Sequence, residues 1–319
     1  MQIESNLFWN SLDLEKAYVG FANSLISFSQ PIQEDRTGVP TFRNSLPLSF
    51  TFSLLNPLTK KLQLPLMLGR RTPLRGILAE LVWFLRGSRS KKEISEDLNF
   101  PIWASWGKED SDDMGPVYGH QWRNWGSKKN RKGLDQWTKI IDDLRENPFS
   151  RRNLMITWNP KEFGKQWVAL PPCHGIVIQF NNLKTPQGKT VLNMIVYMRS
   201  TDILVGGVAN IIMYSIIAHL VSKELGYLPG FVSFQMAIPH VYENQKEAFI
   251  LWRDSLFNNV NEENSNHFIT FGEKTFSLKS KDWTIENFFA EEESDSPDSY
   301  ILKLSNYNPQ PFIKIPVSV

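Results

Sequence analysis

The sequence predicts an α+β fold in a single domain. Segments of helical and of strand character follow one another with no internal repeat, and no linker splits the 319 residues. Residues 209–225 form a helix that is apolar nearly all round, so it needs a core to surround it. The chain is 41% hydrophobic and 13% aromatic, enough to build that core.

Residues 14–28 place apolar side chains at 14, 17, 18, 21, 22, 25 and 28, a helical stripe that Pro31 ends. Asp35-Arg36-Thr37-Gly38 is a polar turn with a glycine free to take positive φ. Residues 42–55 read as strand. Residues 73–85 read as a helix in which Glu80 sits among apolar neighbours; facing inward, its pKa should rise. Trp103, Trp106, Trp122 and Trp125 follow, interleaved with glycines and polar residues. That pattern suits either core or the wall of a pocket for a flat ligand.

Further along, 134–146 reads as helix, and 154–158, 175–180, 190–197 and 232–236 as strands. Residues 243–252 read as a helix, 253–300 as a weakly patterned polar stretch, and 307–319 as an extended tail. Arg151 and Arg152 are a solvated pair or a bidentate phosphate clamp.

A net charge of +2 gives no basis for binding nucleic acid. The first residues are polar and acidic, unlike a signal peptide. The longest apolar run, 205–221, is broken by Gly206, Gly207, Asn210, Ser215 and His219, so no membrane span is expected. A cytoplasmic location is expected from these features.

The one cysteine, Cys173, lies in Ala169-Leu170-Pro171-Pro172-Cys173-His174. It cannot form an internal disulfide or a cysteine-based metal site, and no metal is expected. A lone cysteine is an inert buried thiol or a reactive one. Two prolines stiffen the backbone before it and a strand follows, which favours a thiol presented to a cavity. Cys173 and His174 adjoin on an extended segment and point to opposite sides, which disfavours a cysteine hydrolase pair. A simple nucleotide-binding module would not need the thiol.

Taken in order, these motifs resemble the thymidylate synthase family over nearly the whole chain. The resemblance rests on Asp35-Arg36-Thr37-Gly38, Glu80-Leu81-Val82-Trp83-Phe84-Leu85, Ile102-Trp103-Ala104-Ser105-Trp106 and residues 115–122. It continues through Ser150-Arg151-Arg152, Pro171-Pro172-Cys173-His174, Arg199-Ser200-Thr201-Asp202, Asn210, His240-Val241-Tyr242 and Ile315-Pro316-Val317-Ser318-Val319. It implies a mixed, twisted sheet covered by helices, with the other sheet face forming a homodimer interface.

It also implies one-carbon transfer from 5,10-methylenetetrahydrofolate to C5 of dUMP, with Cys173 as the nucleophile at C6. Arg199 would lower the thiol pKa and bind phosphate with Arg36, Ser200 and the partner's pair at positions 151 and 152. Asn210 would read the uracil edge, and His240 and Tyr242 the sugar. Glu80, Tyr118 and His174 would relay protons. Trp103, Leu170, Asp202 and the tail ending at Val319 would close over the reduced folate.

The chain departs from the family pattern at three points. Met198 stands where the family has glutamine, Val208-Ala209 where it has Pro-Phe, and Ala237-Ile238-Pro239 where it has Gly-Asp-Ala. The related hydroxymethylases also differ there; they quench the intermediate with water and give 5-hydroxymethyl-dUMP and tetrahydrofolate. A synthase product, dTMP with dihydrofolate, is the expectation.

Overall fold

The computed structural model describes residues 6–33, 37–128, 131–162, 168–286, 288–291 and 296–318. Arg36 and Val319 lie outside the described residues. In chain order the elements are β1 (Leu7–Phe8), α1 (Ser11–Phe28), β2 (Pro31–Ile32), β3 (Thr41–Arg43), β4 (Leu48–Ser53) and α2 (Leu74–Arg86). There follow α3 (Tyr118–Arg123), α4 (Gln136–Glu146), β5 (Leu154–Ile156), β6 (Val177–Phe180), β7 (Leu183–Lys184), β8 (Thr190–Met198), β9 (Thr201–Asp202) and α5 (Gly206–Leu225). The chain continues through β10 (Leu228–Met236), β11 (Pro239–Tyr242), α6 (Lys246–Asn259), β12 (Phe268–Phe271), β13 (Phe289–Glu291) and β14 (Leu302–Ser305).

The largest sheet runs β1-β4-β10-β8-β6-β5, with β7 also paired to β8. It is mixed: β10 is parallel to β8 but antiparallel to β4. Its strands alternate in burial, which leaves one face packed and the other open. On the packed face lies α5, whose residues from Val208 to Ser222 are nearly all buried. By length and composition α5 could cross a membrane, and here the fold encloses it. Gly226 closes the helix in the left-handed conformation, φ 68°, as the glycine after an apolar helix should. One hydrophobic cluster extends from Leu12 to Ile315.

The structure corrects several expected elements. The strand expected over 42–55 is two strands in different sheets. Pro47 separates them, and β3 pairs with β11 while β4 pairs with β10. The helix expected from residue 209 begins at Gly206, because Asp202 Oδ1 accepts from the backbone N–H of Leu204 and Val205 and sets up its first turn. Helix α6 runs on to Asn259, and the weakly patterned stretch after it supplies β12 and β13, which flank β14 in a small sheet, β12-β14-β13. In α1 the buried face holds Leu14, Tyr18, Ala22 and Leu25, whereas Phe28 is exposed.

That face of α1 also buries Glu15, which the apolar stripe did not mark. Its carboxylate accepts from Leu68 N (2.5 Å), Gly69 N (3.0 Å) and Trp252 Nε1 (2.6 Å). Burial pushes its pKa up to about 7 against the pull of those donors and of Arg70. Glu15→Gln leaves one oxygen for three donors and should lower unfolding stability by about 2 kcal/mol in urea titration, as expected when a buried charged acceptor is lost. An unchanged midpoint would show that the contacts carry no net stability.

Candidate active site

Several sheet-borne segments and the helices α2, α3 and α5 converge on a cavity of about 430 Å³, within the range of small-molecule sites. Cys173, Glu80, Tyr118, His174, Arg199, Ser200, Asp202, Asn210, His240, Tyr242, Trp103 and Leu170 all line it. The segment before β6 brings Cys173 and His174, the end of β8 brings Arg199, and β9 brings Asp202. Asn210 comes from the first turns of α5, and β11 brings His240 and Tyr242. Parallel pairing of β11 with β9 sets His240 beside Asp202. Val317 and Ser318 of the tail form part of the rim.

The backbone of Cys173 is held from both sides. Its carbonyl accepts from Arg199 N (2.8 Å) and Ser200 N (3.3 Å). Its N–H donates to Tyr118 Oη (2.8 Å), and the same hydroxyl lies 3.2 Å from Sγ. Tyr118 stacks on both Phe84, 4.8 Å between centroids, and His174, 4.2 Å, each nearly parallel to it. Glu80 Oε1 accepts from Trp103 Nε1 at 2.7 Å.

Electrostatics follow from this enclosure. Burial raises Glu80 to about 7, the direction expected, with the Trp103 bond opposing. Burial lowers His174 to about 3, so its ring is neutral. Its Nδ1 lies 2.8 Å from the Tyr214 hydroxyl, which leaves Nε2 as the nitrogen available for other contacts. Arg199 does pull the Cys173 pKa down, as expected, but burial outweighs it. Burial pushes the thiol up; the Tyr118 hydrogen bond and Arg199 pull it down, Glu80 adds to the rise, and the net shift is upward.

Four expected residues are not among the described residues that line this cavity, and two of them, Arg151 and Arg152, are expected to serve the partner's site. Arg151 and Arg152 are exposed on the turn before β5, away from this wall, and Arg36 and Val319 lie outside the described residues. Of the three departures, Ala209 and Ile238 line the cavity, whereas Met198 is fully buried with its sulfur 3.8 Å from Thr201 Oγ1. Sequence reasoning missed Arg43, Tyr214 and Gln245. Arg43 lines the cavity because β3 pairs it with His240, a register visible only in the fold. Tyr214 lies one helical turn after Asn210, and that spacing could have found it. Among the described residues no group of three or more His, Cys, Asp or Glu side chains is placed to hold a metal ion.

The family model described as thymidylate synthase matches residues 16–319. The chain belongs to the thymidylate synthase family. It is 31% identical over 255 residues to the thymidylate synthase of Saccharomyces cerevisiae, covering 73% of this chain and 81% of that one. It is 33% identical over 256 residues to the thymidylate synthase of Brachyspira hyodysenteriae, covering 80% and 89%. A probable thymidylate synthase of Schizosaccharomyces pombe is 33% identical over 254 residues, but this chain spans only 39% of that longer protein.

Glu80 gives this family member a testable titration. Because its pKa is raised, the carboxyl is protonated below about 7 and ionised above it, and any stabilisation from the neutral form fades as pH rises through that value. Trp103→Phe removes a donor to the ionised form. The Glu80 carbon resonance in NMR should then titrate at higher pH than in the wild type; a shift downward would contradict this account.

Proposed function

We propose that this chain converts dUMP to dTMP, taking its one-carbon unit from 5,10-methylenetetrahydrofolate and releasing dihydrofolate. The observation that carries this reading is the placement of Cys173 in one cavity with a base-reading amide, a cation, and a carboxyl of raised pKa. The whole chain acts as one catalytic domain around its continuous core.

The Cys173 thiolate adds to C6 of uracil and makes C5 nucleophilic, and the C6–S bond breaks again as the product forms, which divides one hard step into two easier ones. In the thiolate form only the Tyr118 phenol can donate between the two groups, so it steadies the charge that burial disfavours. Arg199 and Ser200 bind the nucleotide phosphate, with Arg36 as a further cation. Asn210 offers both a donor and an acceptor, which match O4 and N3 of uracil. His240 and Tyr242 hold the sugar. Glu80, neutral His174 and the Tyr118 phenol relay protons near O4 and C5.

The other half of the cavity is lined by Phe100, Ile102, Trp103, Trp106 and Leu170, an apolar and aromatic wall that fits a flat heterocycle. When bound there, the reduced folate supplies the methylene carbon and the hydride. Asp202 and the tail residues hold it and exclude water. Ala209 and Ile238 lie on the cavity wall, so the choice between hydride and water is made beside them. The apolar wall and the tail over the rim support the hydride outcome. Dihydrofolate formation near one per nucleotide converted supports the synthase; nucleotide conversion without dihydrofolate establishes the hydroxymethylase product.

The open face of the large sheet exposes Leu154, Ile156 and Tyr197, and the Arg151-Arg152 turn sits at its edge. We assign that face to a homodimer in which the pair reaches the neighbour's phosphate. Cys173→Ser should fold yet lower kcat by about 10³-fold or more, the scale seen when a nucleophile is removed. Mixed with an Arg151→Glu/Arg152→Glu variant and re-associated, it should regain about a quarter of wild-type activity through hybrid dimers. No recovery would show that the pair does not serve the partner's site. Asn210→Asp should shift preference toward dCMP in competition assays; unchanged preference for dUMP would remove Asn210 as the base reader.

A further inference from the structure

The tail that rims the cavity is tied down by a residue outside the nucleotide and folate motifs. Gln245 is fully buried just beyond β11. Its Nε2 donates to Asp202 Oδ2 (2.7 Å) and to the carbonyl of Pro316 (2.9 Å). Its Oε1 accepts from Tyr242 N (3.0 Å). One side chain therefore joins the cavity carboxylate, the end of β11 and the tail. A second tie is weaker: Ser318 Oγ donates to Asn244 Oδ1 at 3.4 Å.

The chemistry of the junction selects an amide. Asp202 and the Pro316 carbonyl both need a donor, and the Tyr242 N–H needs an acceptor. A carboxamide carries two N–H groups and one carbonyl on a single planar end. A carboxylate in its place would keep the Tyr242 bond, lose both donors and face Asp202 with like charge. All the described hydrogen bonds of Asp202 go to Leu204, Val205 and Gln245, none of them in the tail. Asp202 and the tail thus communicate through Gln245.

We propose that Gln245 is a positioning residue that latches the C-terminal tail to Asp202 and so presets closure over the folate half of the cavity. The folate part of this inference rests on the function proposed above; the latch itself does not. Gln245→Glu should therefore loosen the tail while sparing the nucleotide half.

Two readouts test it. Carboxypeptidase removal of C-terminal residues needs no turnover, and it should speed up about tenfold in Gln245→Glu, as expected when a local closure is weakened. Asp202→Asn should also speed it up, although Asp202 has no described hydrogen bond to the tail. The KM for methylenetetrahydrofolate should rise about tenfold in Gln245→Glu, while the Kd for dUMP alone stays within about twofold. In a chain ending at Ile315 the Gln245 substitution should add no further rise, because the partner it latches is gone. Wild-type release rates in both variants would overturn the latch. Parallel loss of dUMP and folate affinity with a lowered Tm would overturn it in favour of a purely structural role. Faster tail release in a protein with no folate-dependent activity would uphold the latch and reject the proposed function.

Discussion

The site depends on where Tyr118 holds its hydroxyl. That oxygen accepts the Cys173 backbone N–H and stands 3.2 Å from the sulfur, so a single phenol fixes both the height of the thiol and a partner for it. Stacking on Phe84 and His174 fixes the phenol itself. Burial holds the Tyr118 pKa well above its ordinary range, so the ring remains a proton donor. The same burial penalises the thiolate. Burial therefore favours the thiol in the free protein, and Tyr118 and Arg199 only partly oppose it.

Around that contact the sheet provides registration. β8 ends at Met198 and passes directly into Arg199, β9 carries Asp202, and β11 lies parallel to β9, so His240 and Asp202 come side by side without any direct sequence relation. Helix α5 starts at the same corner, and Asp202 sets its first turn while facing the cavity. Tyr18 and Arg70, from two distant segments, donate to the carbonyls of Ile203 and Leu204 and pin the turn between Asp202 and the helix.

Much of this was legible in the sequence, for identifiable reasons. Residues 209–225 could only be a buried helix, since no face of it is polar. The Pro-Pro-Cys-His segment before a strand announced a presented thiol, and Glu80 among apolar neighbours announced a raised carboxyl pKa. Other features were not legible because they arise from pairing between distant segments. Arg43 reaches the cavity through its register with His240, and the break at Pro47 sends two halves of one apparent strand to different sheets. Glu15 lies outside the apolar stripe of its helix, and only the approach of Leu68, Gly69 and Trp252 buries it. The sign of the Cys173 shift depends on depth, which sequence spacing does not encode.

Helix α5 serves the core and the cavity with one rigid body. Asn210 stands on the cavity wall; the residues of the next turn, Ile211, Ile212 and Met213, are wholly enclosed, and Tyr214 holds the ring of His174. A substitution that seats this helix a few tenths of an ångström differently moves the Asn210 amide on the cavity wall by the same amount. Core packing and cavity shape are thus written on the same rod. Lineages adapting this protein to a new growth temperature have little freedom to repack that layer, and such adaptation should accumulate instead in the small sheet formed by β12, β13 and β14.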